Sequence, residues 1–179
     1  MNRDGVIALD LNTKSCGVAY GKFDWAAPKL TTWALPGSGD EGALTLAYGR
    51  LYASIVGIAD LVCPAWVAIE APFFFKDDGK SNAHTLAVLH GLTCVARAAG
   101  VNCGAKVNMV AVSTWRKHFT GHGRPKDPKG ATLHMCKILG WSPQNDDEGD
   151  AAGLWAYEMA LRYPKWGPGT APLVGRVSA

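Results

Sequence analysis

The chain has no Cys-x-x-Cys pair, no glycine-rich phosphate loop and few charges, and each shortage narrows what it can do. Its five cysteines (Cys16, Cys63, Cys94, Cys103, Cys136) are odd in number and scattered, which argues against a disulfide framework or a thiolate zinc site. They read as buried thiols of a reducing compartment. No apolar run approaches membrane-spanning length, and no basic stretch leads into an apolar segment at the N-terminus. A cytoplasmic protein without membrane contact is therefore the expectation. Neither GxGxxG nor GxxxxGKS/T occurs, which disfavours dinucleotide-binding and P-loop proteins. There is no internal repeat and no low-complexity segment. Charged residues make only 18% of the chain against 48% hydrophobic, a globular balance rather than a disordered one. At 179 residues one domain with a sizeable core is expected.

What is present is distributed unevenly. Between Lys106 and Lys137 stand seven Lys/Arg (Lys106, Arg116, Lys117, Arg124, Lys126, Lys129, Lys137) and one acid, Asp127. That segment carries +6; with a total of +3, the rest of the chain sums to −3. Such one-sidedness suits a polyanion, or equally a solvated loop and helix face.

Hydrophobic periodicity predicts strands at about 5–11 and 15–23, joined by a bend at Asn12, Thr13 and Lys14, and a third strand at KLTTWAL. Helical spacing follows from Asp40 to Cys63, then the apolar strand AWVAIEA and the loop PFFFKDDGKSN. Residues 82–99 form a helix apolar around most of its circumference, suited to burial or an interface. KVNMVAV is a fifth strand. Ser113 can cap the short helix TWRKHF, TGHGRPKDPKG is a loop, residues 129–139 are helical, and NDDEGDAAGLWAYEMAL opens the last helix. The order implies an α/β fold with a mixed five-stranded sheet whose first three strands run antiparallel. The domain spans 1–163, and 164–179 is an irregular tail.

Acids inside apolar strands are the most informative feature. Asp10 lies in VIALDLN and Glu70 in VAIEAP, each near the C-terminal end of its run. A strand-end acid facing solvent explains either one alone, because burying an unpaired carboxylate is costly. In the last helix Asp147 and Asp150 share a face at a spacing of three, although acids at a helix start also serve the macrodipole. Carboxylates converging from separate elements repel one another unless divalent cations neutralise them, and hard oxygen donors suit Mg²⁺ or Mn²⁺.

The ordered set resembles the RuvC-type Holliday junction resolvases of the RNase H-like superfamily. Asp10 ends the first strand with Gly17 seven residues on, Glu70 ends the fourth as A-I-E with Phe73 following, and Asp147 and Asp150 form D-x-x-D-A. The match covers about residues 4–160. It departs from the family at Asp10-Leu11-Asn12, where Asp-Pro-Gly is usual, and at HTLAVLHGL, which lacks the family's Gln and Arg. A divergent, phage-type member fits these departures.

The resemblance implies an RNase H-like fold and a homodimer that resolves four-way junctions and other branched DNA. It implies two Mg²⁺ per site (Mn²⁺ substituting) held by Asp10, Glu70, Asp147 and Asp150, with cleavage to 5′-phosphate and 3′-hydroxyl ends. Asp146 competes with Asp147 for the ligand role. Lys129, and one of Arg116 and Lys117, would steady the phosphate's charge, or only touch the backbone. Phe73 or Phe74 would stack on unpaired bases, flanked by Lys76 and Lys80, with Arg124 and Lys126 also on DNA. The apolar helix 82–99 is the dimer candidate. His118 and His122 have ligand-like spacing, but no cysteine pair accompanies them. Trp115, Trp141 and Trp155 read as core. Alternatives are another RNase H-like nuclease acting on RNA–DNA hybrids or flaps, and an inactive DNA-binding module. A sugar-kinase or actin-like ATPase would need two such domains.

Overall fold

The structure, a computed structural model, describes residues 3–37, 39–72 and 83–166. Strands β1 (Gly5–Leu11), β2 (Ser15–Lys22) and β3 (Lys29–Ala34) form an antiparallel meander. Its first bend closes through the Asn12 N–H donating to the Ser15 carbonyl, at 2.9 Å. Helix α1 (Glu41–Val62) then crosses to β4 (Pro64–Glu70), and α2 (Ala83–Asn102) to β5 (Lys106–Val110). Both β4 and β5 run parallel to β1, giving the order β3-β2-β1-β4-β5. Helices α3 (Val112–Thr120), α4 (Pro128–Ile138) and α5 (Asp146–Arg162) complete the described fold. The expected mixed sheet with three antiparallel strands is present.

Alternation along the central strands builds two cores. Ile7, Leu9, Val18, Val67 and Ile69 point to one side and pack with α1 and α2. Val6, Ala8, Ala19 and Ala68 point to the other, against α3 and α5, where Trp115, Trp141 and Trp155 are buried as expected. The small side chains on that second face let α5 lie close to the sheet. The closest approach is at Gly17, which pairs with Asp10 across β1 and β2. A Cβ on Gly17 would penetrate the Asp147 carbonyl, so only glycine allows the start of α5 to dock beside Asp10. Gly17→Ala should cost roughly 1–3 kcal/mol by overpacking against backbone that cannot rotate away. Urea unfolding measures this; a loss below about 0.5 kcal/mol would show that the docking tolerates displacement.

Two expectations need correcting. Helix α1 is long and apolar enough to cross a membrane by length and composition, with mean hydropathy 1.2 over 18 residues. Interspersed Gly, Ser and Thr hide this from a search for unbroken apolar runs. Ala47, Leu51, Ile55, Ile58, Ala59 and Val62 of α1 are buried in the core beside α2. Second, Ser113 does not cap α3: Ala111 holds the N-cap position without a side-chain bond, because the helix starts one residue before Ser113. The described residues that follow α5 pack back onto the domain. Trp166 donates to the Trp25 carbonyl at 3.2 Å and packs edge-on to Trp155. The α4 start is better built, with Asp127 accepting from the Gly130 N–H and Pro128 in the first turn.

Candidate active site

Asp10 and Glu70 end neighbouring parallel strands whose register pairs Leu9 with Ile69. Ala8 and Ala68 face α3 and α5, so two residues further along, Asp10 and Glu70 emerge on that same side. The third element is the N-terminus of α5. Asn145 caps it by accepting from the Glu148 N–H, and Glu148 accepts from the Gln144 N–H and the Thr32 hydroxyl. Buried Glu148 is therefore a capping acid that pins α5 to β3. Asp147 faces the sheet and accepts from the Ser15 hydroxyl at 2.7 Å. Asp146 turns outward to Lys129, at 2.8 Å, with both side chains well exposed.

The four expected acids share one electrostatic field. Burial, followed by the charges of Glu70, Asp150 and Asp147, holds the Asp10 carboxyl well above its ordinary range, with Arg116 opposing. Burial and Asp150 push Glu70 up to about 7, against the Trp115 hydrogen bond and Arg116. Burial likewise raises Asp150, while the charge and hydrogen bond of Arg116 pull it back. Trp115 donates its indole N–H to Glu70 at 2.9 Å, and Arg116 bridges to Asp150 at 3.1 Å.

A buried acid can be purely structural, and Glu158 shows what that looks like. It is fully buried but accepts from Asn108 and Arg162, each at 2.7 Å. Asp150 differs: its Oδ1 is buried with no hydrogen-bond partner, as is Arg116 Nε. Among the described residues no three His, Cys, Asp or Glu form a ready ligand group, since Asp150 is turned onto Arg116 and Asp147 onto Ser15. An orphaned carboxylate oxygen within a crowd of hard, mutually repelling donors is nevertheless the chemistry that a divalent cation fits.

The basic segment divides. Arg116 reaches the acids, and the Lys129 pKa is raised by the Asp146 hydrogen bond first and by the nearby acids after it. Arg124 lines a cleft beside Arg116, Lys117 lines an adjoining groove, and Lys126 is exposed. Lys106 lies at the far end of β5 over Trp66, opposite the first residues of β4. It takes no part in this site. His118 packs edge-on to Tyr157, and burial lowers its pKa. Phe73, Phe74, Lys76 and Lys80 lie outside the described residues. Sequence reading missed Ser15 and the polar role of Trp115. The available signal for Trp115 was its place beside Arg116 in the basic segment.

The sheet order, with acids ending β1 and β4 and opening α5, defines an RNase H-like fold of the RuvC type. A structure of Thermus thermophilus RuvC superposes with a TM-score of 0.68 at 18% identity, covering 88% of this chain and 95% of that one. Thermus thermophilus RuvC in complex with Holliday junction substrate gives 0.66 at 15% identity, over 89% and 96%. The yeast mitochondrial Holliday junction resolvase Ydc2 gives 0.59 at 10%, over 89% and 82%. No family model and no curated protein sequence matches. The resemblance read from the sequence thus holds at the level of fold.

Proposed function

We propose that this chain is an endonuclease of branched DNA, acting on four-way junctions. The observation that carries the reading is the set of four carboxylates, brought from β1, β4 and α5 into one partly buried field. A protein gains nothing in stability from such crowding, so the repulsion is best explained by a cationic ligand. The RuvC-type fold supports DNA as substrate, since one similar structure is bound to a Holliday junction.

Asp10, Glu70, Asp147 and Asp150 would hold Mg²⁺, with Mn²⁺ substituting. Two such ions, when bound, supply an activated water and stabilise the leaving 3′ oxygen, giving 5′-phosphate and 3′-hydroxyl ends. Ser15 and Trp115 fix the Asp147 and Glu70 carboxylates by one hydrogen bond each. Arg116, once released from Asp150, offers a guanidinium to the phosphate, and Lys129 adds a second cation at the rim. Paired nicks on opposed strands call for a homodimer, with α2 as the candidate interface; light scattering tests it.

The discriminating assay is incubation with four-way junction, linear duplex, flap and RNA–DNA hybrid in Mg²⁺. Symmetric nicks confined to the junction support the reading, and cleavage of the hybrid alone sinks it. The same assay decides between the adjacent acids of α5. Asp147→Asn should lose activity on the order of 10²-fold or more. Asp146→Asn should stay within about threefold, because it removes an exposed ion pair worth roughly 0–1 kcal/mol. The reverse ranking would assign the ligand to Asp146.

A further inference from the structure

The cleft beside Arg116 is not explained by the acids. It has a volume of about 490 Å³ and is walled by Pro72, Val112, Pro125 and Pro128, with Arg116 and Arg124 among its lining. That volume lies within the range of small-molecule sites, roughly 300–1,000 Å³. Among the described residues no carboxylate lines it, although Arg116 links it directly to Asp150. Arg116 also keeps a buried Nε–H with no partner. Flat apolar walls with two guanidiniums are complementary to a π-faced, anionic group, which describes a nucleotide.

We infer that this cleft receives one unstacked base of the cleaved strand, with the guanidiniums of Arg116 and Arg124 on its phosphates, and so sets base preference at the cut. The inference rests on the proposed nuclease function and adds to it a specificity-determining pocket. Its position follows from connectivity. Arg116 contacts the acids on one side and the cleft on the other, so a base one nucleotide from the reacting phosphate falls between them.

The test uses the full chain without divalent metal and four-way junctions carrying 2-aminopurine at each nucleotide flanking the exchange point in turn. One position should brighten several-fold on binding, reporting an unstacked base. Ser113→Trp and Ala111→Phe fill the cleft from exposed positions, so their effect on folding is small. Either should abolish the brightening at that position and flatten cleavage preference among junctions differing only in that base. Junction affinity should stay within about threefold of the parent. Brightening that persists in both filled variants, or no brightening at any position, overturns the inference. Occupancy by the chain's own aromatic run, shown by brightening lost on Phe74→Ala but kept on Ser113→Trp, overturns it too. If junctions are cut while the pocket result fails, the nuclease reading stands. If junctions are neither bound nor cut, both readings fall.

Discussion

Asp10→Asn is expected to lower junction cleavage by on the order of 10³-fold while raising the stability of the metal-free protein. The two effects share one cause. Asp10 ends the central strand, partly buried, and Glu70, Asp150 and Asp147 all raise its pKa. Asparagine keeps the shape and removes a charge from this crowd, so folding no longer works against that repulsion. The proposed metal loses its central donor at the same step. A gain of 1 kcal/mol would raise the thermal midpoint by roughly 2–4 °C at this chain length. Single-turnover cleavage in Mg²⁺ and thermal unfolding in EDTA measure both quantities. Activity within tenfold of the parent would refute the role of Asp10. Lost activity together with a lowered midpoint would mean that the variant had misfolded instead.

The second large effect is a metal-free stability that falls as pH rises. Glu70 has an ordinary pKa of 4.5 and is pushed up to about 7 in the fold. Between those values the folded state holds a proton that the unfolded chain has released. Stability therefore drops from about pH 4.5 upward and reaches its full loss above about 7. At 1.36 kcal/mol per unit, a shift of this size corresponds to a loss on the order of 2 kcal/mol between pH 5 and 8. Asp10, raised in the same direction, adds to it as part of a coupled pair. Urea unfolding in EDTA at a series of pH values should show this slope, and Glu70→Gln should flatten most of it. Mg²⁺ should restore stability at pH 8, and its apparent affinity should tighten as pH rises through 7. A Glu70→Gln protein as pH-sensitive as the parent would show that its carboxyl is not the strained one.

Much of this molecule was legible in its sequence because the signals are local. Alternation in GVIALDL and AWVAIEA and helical spacing from Asp40 to Cys63 place the elements within a residue or two of the observed ends. Asp10 and Glu70 were visible because a charge at the end of an apolar strand is energetically anomalous. The capping error at Ser113 and the hidden length of α1 also have local causes, a helix starting one residue early and small residues breaking an apolar run. The choice between Asp146 and Asp147 was a different matter. Neighbours in a helix differ by about 100° in direction, and nothing in NDDEGD says which side meets the sheet.

The sequence alone determined the strand and helix order, the excess of base between Lys106 and Lys137, and four acids in plausible order. Only the tertiary structure decided which of them share a field. Gly17 admits the start of α5 against β2, and that docking turns Asp147 to Ser15 and leaves Asp146 with Lys129. The same packing puts Trp115 on Glu70, Arg116 on Asp150 and Lys106 at the opposite end of the sheet. Electrostatic coupling depends on distance through the fold rather than along the chain, and burial lowers the dielectric in which it acts. For that reason NDDEGDAAGLWAYEMAL could announce a capped helix, while the division of its acids between cap, surface pair and site belongs to the fold.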